Sequence, residues 1–228
     1  MKVEPVSVEV TLESGLTMRG YEWPARGAPV VLLHDYDHDL DAWQEIDREL
    51  AQKSFRVINL ELRGHGFSDG EPDRDLLFSD AQELLKELGT VWGPLGLCTY
   101  GHVSASLCSI GGTFLPTVHI AVSPILGSTT KGITQQADTS YLVISGVGDQ
   151  ECTEQARSIF DDLGPKKLWA SVASTEQGPK LLRLHRHLVG DMTLFFQRYL
   201  VPMHQEWQEK ALGQAISEAN KKDSELEK

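Results

Sequence analysis

The chain has 228 residues, with 21 Lys and Arg against 33 Asp and Glu and a net charge of −12. That acid excess leaves no face able to neutralise a run of phosphates, so nucleic acid and anionic membrane are excluded as main partners. No apolar run approaches the roughly 18 residues of a membrane span, no cationic-then-apolar leader precedes Val6, and Cys98, Cys108 and Cys152 form no disulfide framework, so an acidic, cytoplasmic, globular protein is expected.

Val6 to Leu12 alternates apolar and polar residues and predicts a half-buried strand, which Ser14-Gly15 turns into a second strand over Thr17 to Trp23. Val30 to Leu33 is a short solid apolar run of the kind buried on both faces of a parallel sheet. A helix is expected from Asp41 to Gln52, capped by Asp39 or Asp41, then a strand over Phe55 to Leu60 and a helix over Ser79 to Leu88. Leu95-Gly96-Leu97 leads into a helix over Gly101 to Ile110, followed by strands at Thr117 to Val122 and Tyr141 to Ser145. A helix near Cys152 to Leu163, a last strand at Lys167 to Val172 and an apolar-striped helix through Leu194 to Leu200 complete the series. Strands alternating with helices imply right-handed crossovers and a mostly parallel sheet. The charged stretch from Met203 to Lys228 carries Trp207, Ala211, Leu212, Ala215 and Ile216 at helical spacing, so we expect one domain over 1–202 and a helical tail over 203–228.

In such sheets functional groups gather at the carboxyl ends of the strands. There stand His34-Asp35-Tyr36, the block Val57 to Gly70 (VINLELRGHGFSDG), Gly96-Leu97-Cys98-Thr99-Tyr100-Gly101, Gly146-Val147-Gly148-Asp149 and Ser174 to Gly178. With Asp41-Ala42-Trp43 and Ser123-Pro124, this order resembles the α/β-hydrolase family from about Val6 to Leu200. The fold so implied is an N-terminal β-hairpin, then a mostly parallel sheet with helices on both faces. The connection from Ile125 to Thr139 is too short for a cap domain.

The resemblance also implies a site. Cys98 falls where the motif G-x-S-x-G has its serine, as in dienelactone-hydrolase-like relatives, with Gly96 as its first glycine. A thiol there would be activated by the following helix N-terminus. Asp149 matches the family's acid, and the N–H groups of Tyr36 and Thr99 would serve the oxyanion. Tyr100 replaces the motif's second glycine, and Asp35 replaces the glycine after His34, which sets a carboxylate beside the developing negative charge. Gln177-Gly178 stands where the family often has His-Gly, and glutamine takes no proton. The base is therefore open between Gln177, His185 and His187: a helix starting at Pro179 would carry His185 too far from the loop, while a long loop capped by Asp191 would let either histidine reach the site. The spacing to Tyr199-Leu200 favours Gln177 at the base position.

Two functions follow. One is a small acyl hydrolase of esters, thioesters or lactones, with Cys98, Asp149 and His185 catalytic, Tyr36, Thr99, Asp35, Tyr100 and Gln177 around the substrate, and an altered triad. The other is an inactive pocket protein that binds a small molecule or a partner protein. No cofactor or metal is expected. His34 to Asp39 reads as a solvated capping loop and His102 as a packing residue, and self-association is left open.

Overall fold

Alternation within short apolar strands sets the layers of the molecule. The computed structural model describes residues 4–109, 114–127 and 138–226. In β3 (Pro29–Leu33), Val30 and Leu32 face one side while Val31 and Leu33 face the other, and all four are buried. Each such side chain contributes about 1.5–3 kcal/mol on burial, so a strand with this pattern is stable only between two apolar layers.

The sheet supplies that setting. β1 (Val6–Thr11), β2 (Thr17–Trp23), β4 (Arg56–Leu60), β3, β5 (Gly96–Tyr100), β6 (Val118–Pro124), β7 (Ser140–Gly146) and β8 (Lys167–Val172) lie side by side in that order. β1 and β2 form the expected antiparallel hairpin, β2 is also antiparallel to β4, and the pairs from β4 across to β8 are parallel. One face is covered by α1 (Ile46–Gln52), α5 (Gly178–Leu184) and α6 (His187–Tyr199), through Leu50, Leu181, Met192 and Phe196. The other is covered by α2 (Leu77–Trp92), α3 (Gly101–Cys108) and α4 (Gln150–Asp162), through Leu84, Leu88, Val103 and Ile159.

Two elements differ from expectation, and the helical tail begins slightly earlier than its charged stretch. The single helix over Asp41–Gln52 is two pieces, a 3-10 turn at Leu40–Trp43 capped by Asp39 and then α1, with Glu45 at φ 70° between them. That break lets both Trp43 and Ile46 enter the core completely. The stretch before Leu194 is helical as well, divided at His185 into α5 and α6. The C-terminal tail is part of α7 (Val201–Leu226), which starts inside the domain: His204 is buried, and the Trp207 ring lies over Gly93, where an added Cβ would come within 2.3 Å of it. Ile110 and residues 128–137 of the Ile125–Thr139 connection lie outside the described residues. No helix among the described residues is long and apolar enough to cross a membrane.

This anchoring divides α7 into a packed start and a stretch from Leu212 to Glu218 that is exposed. Trp207→Ala is expected to lower the free energy of unfolding by about 1–2 kcal/mol, while deleting residue 212 onward changes it by less than about 0.5 kcal/mol. Urea unfolding followed by circular dichroism measures both; the reverse order would show that the distal helix carries the packing.

Candidate functional site

The site is built where β5 turns into α3 with no residue between them. Tyr100 ends the strand and Gly101 begins the helix at φ +63°, a left-handed conformation that only glycine adopts cheaply. An ideal Cβ on Gly101 would lie 2.0 Å from Asp35 Oδ2, so the Asp35 carboxylate fills the volume that a side chain at position 101 would need.

Backbone donors hold that carboxylate in place. Tyr36 N–H and Val103 N–H donate to Oδ1, each at 3.0 Å, and His102 N–H donates to Oδ2 at 3.1 Å. Two of the three donors lie in the first turn of α3, whose free N–H groups and dipole favour an anion. The His102 ring nitrogen Nδ1 stands 3.4 Å from Oδ2. In ester-cleaving enzymes with a strand–turn–helix elbow, the nucleophile stands on the turn, and the oxyanion takes the next residue's N–H and one from the loop after the third strand. Here those positions are Gly101, His102 and Tyr36, and both N–H groups are already bonded to Asp35.

The assignment of Cys98 to the turn is therefore corrected by three residues. Cys98 lies inside β5, fully buried on the face that also carries Tyr100, and desolvation pushes its thiol well above the ordinary range instead of activating it. The pattern on the turn is Thr99-Tyr100-Gly101-His102-Val103, with no nucleophile at its centre. Nor is Thr99 the second oxyanion donor: it lies inside β5 opposite Ala121 of β6, two residues before the turn, and its hydroxyl is hydrogen-bonded to Ser104 Oγ at 2.9 Å and His119 Nε2 at 2.8 Å in the buried layer. Burial pushes the His119 imidazole down to about 3, so it stays neutral in that network.

A cavity of about 370 Å³ opens beside the turn, lined by Asp35, His38, Ala42, Tyr100, Gly101, Ser123, Ile125, Gln177, Gly178, Pro179, Lys180 and Arg183. A separate void beside the Arg63–Asp80 ion pair measures only about 10 Å³, too small for a ligand. Tyr100 packs edge-on against Trp43 and is 4% exposed; its hydroxyl approaches the Asp35 amide without a hydrogen bond of good geometry. Gln177 donates from Nε2 to Gly146 O at 3.3 Å, and its Oε1 is buried without a partner.

The remaining expected residues are not gathered here. Asp149 caps α4, accepting from Cys152 N–H at 3.0 Å, and does not line the cavity. His185 ends α5 with its ring 6.1 Å from that of His187, and neither ring reaches the cavity. The Tyr36 ring lies under the Arg74 guanidinium, so Tyr36 contributes its N–H alone. In the His34–Asp39 segment, His34 is fully buried, and its Nε2 accepts from Leu62 N–H at 3.0 Å. Among the described residues no group of three or more His, Cys, Asp and Glu is placed to hold a metal ion. Sequence reasoning missed Gly101, His38 and Arg183. Only Gly101 left a signal, as a glycine between a strand and a helix.

No protein-family model matches the chain, and no curated protein does. Among solved structures, the esterase Pf2001 of Pyrococcus furiosus is similar at TM-score 0.67 and 15% identity, over 86% of this chain and 93% of that one. The α/β hydrolase GrgF from Penicillium sp. sh18 is similar at TM-score 0.68 and 15% identity, over 86% and 99%. The bottromycin epimerase BotH, solved with bottromycin A2, is similar at TM-score 0.62 and 14% identity, over 81% and 98%. With the strand order above, these likenesses establish an α/β-hydrolase fold.

Two measurements check this geometry. Gly101→Ser is expected to cost about 2 kcal/mol or more through strain and overlap, and at least about 1 kcal/mol less in an Asp35→Gly background; equal costs in a double-mutant cycle would show that the two positions do not compete for space. In mapping with iodoacetamide, Cys152 is expected to react first and Cys98 and Cys108 only on unfolding, since burial also pushes the Cys108 thiol up to about 12. Early labelling of Cys98 would contradict its place inside the strand.

Proposed function

We propose that the chain uses the α/β-hydrolase fold as a binding pocket for a small molecule and does not hydrolyse esters. The observation that carries this reading is the Asp35 carboxylate, bonded to both N–H groups that would receive an oxyanion and filling the nucleophile's space. A missing oxyanion donor typically costs 10²- to 10³-fold in rate and a missing general base 10²- to 10⁴-fold, so the losses together bring acyl transfer near background. Gln177 beside the cavity supports the same conclusion, because its amide cannot accept the proton that a histidine would. The altered machinery leaves a cavity large enough for a ligand. A fold shared by esterases and by an epimerase does not by itself dictate hydrolysis. Three free cysteines and an acidic surface support a reducing, cytoplasmic setting.

The test is a panel of short-chain p-nitrophenyl esters and thioesters, run on wild type and on Cys98→Ala. Both are expected to match the rate without protein. Turnover that disappears in Cys98→Ala or in His185→Ala would restore the hydrolase reading.

A further inference from the structure

We infer that a second cleft, at the opposite end of the sheet from the Asp35 cavity, is a binding site for a small aromatic carboxylate. It lies where the amino ends of β3 and β4 meet the C-terminal end of α2 and the start of α7, so it stands independently of the function proposed for the Asp35 cavity. Its volume is about 270 Å³, nearly twice the roughly 150 Å³ of an apolar cavity that takes up benzene. A single ring with a short acidic arm fits that space.

The lining has donors to spare in a chain dominated by acids. Of the 33 Asp and Glu residues none among the described residues lines this cleft, whereas Arg26 and Arg56 both do. Arg56 is already committed: it donates to Glu22 and lies over the Trp92 ring at 5.0 Å. Arg26, on the loop between β2 and β3, is exposed, and its guanidinium has no ion pair or hydrogen bond among the described residues. Trp92 and Trp207 are half-buried, and their indole N–H groups meet no acceptor among the described residues. Neither indole nitrogen is one of the buried atoms left without a partner, so both stay open to a ligand.

The walls set the class of ligand. Trp207 is held against Gly93 and by the stacked His204 ring at 5.8 Å, so this wall is in place before anything binds. Burial pushes the His204 imidazole down, which keeps it neutral and leaves Arg26 as the uncompensated charge. A carboxylate can take two parallel N–H groups from that guanidinium, while a ring beside it fills the apolar space between Ala25, Pro29 and the two indoles. An ammonium would face like charge, and a small inorganic anion would leave the walls unfilled. The C-terminal end of α2 at Trp92 carries a partial negative charge, but that effect is confined to the last turn and is weaker than a bidentate ion pair.

The isotope-labelled full chain is titrated with benzoate, benzamide and acetate in turn, while nuclear magnetic resonance follows the indole N–H signals, assigned through Trp92→Phe and Trp207→Phe. Benzoate is expected to move the signals of Trp92 and Trp207 and to leave in place that of Trp23, whose N–H is bonded to Asp47. Benzamide, which lacks the charge, and acetate, which lacks the ring, are each expected to bind at least about tenfold more weakly. Arg26→Gln is expected to weaken benzoate about tenfold or more without lowering the unfolding midpoint, because the side chain has no partner to lose. Trp207→Phe keeps a ring over Gly93 but removes one N–H, and is expected to weaken it about threefold. Unmoved Trp92 and Trp207 signals, equal binding of benzamide or acetate, or an unchanged affinity in Arg26→Gln would overturn the inference.

Discussion

The capture of the Asp35 carboxylate by three backbone N–H groups is the contact around which the carboxyl end of this sheet is organised. It follows from register. β3 and β5 are parallel neighbours with Leu32 opposite Cys98, so three residues further on Asp35 meets Gly101. There the chain from β5 bends into α3, and the first helical N–H groups point towards the incoming side chain. Hydrogen bonds to a charged group contribute about 1.5–3 kcal/mol each, which is large against the stability of a whole domain. The side chain that ties the loop after β3 to the start of α3 also occupies the space that a side chain on the turn would need, so one interaction sets both the local stability and the shape of this end of the sheet.

Beneath this contact the sheet face away from Tyr100 is polar as well as buried. Thr99, Ser104 and His119 are linked by hydrogen bonds, and Cys108 Sγ lies 3.9 Å from His119 Nδ1. Satisfied buried networks of this kind rigidify their surroundings. The turn is therefore held from below by hydroxyl and imidazole groups and from the side by a carboxylate, which suits a fixed cavity wall.

The alternating and solid apolar runs made the sheet legible in the sequence, because burial on one face or two leaves a period that single residues cannot hide. The site was less legible. Gly96 and Cys98 invited the glycine–nucleophile pattern by residue type, whereas the elbow is a backbone conformation and lies where φ turns positive, at Gly101. The strand's own alternation held the correction: Gly96, Cys98 and Tyr100 are spaced by two, so Cys98 shares the inward face with Tyr100. The helix division at His185 has no glycine or proline to announce it, and with it the positions of His185 and His187 were hidden. Asp149 has the ordinary spacing of an N-cap, and a cap and a catalytic acid look alike until the neighbouring N–H is seen.

The packing of Trp207 on Gly93 reaches beyond the core. It fixes the base of α7, a helix of 26 residues that extends over about 39 Å at 1.5 Å per residue. The residues from Leu212 to Glu218 are exposed on that helix. It is thus a helical spacer held to the domain through Val201, the buried His204 and the Trp207 indole, and a fluorophore or fused module attached along it would stand off at a distance set by helix rise, not by the coil statistics of a flexible linker.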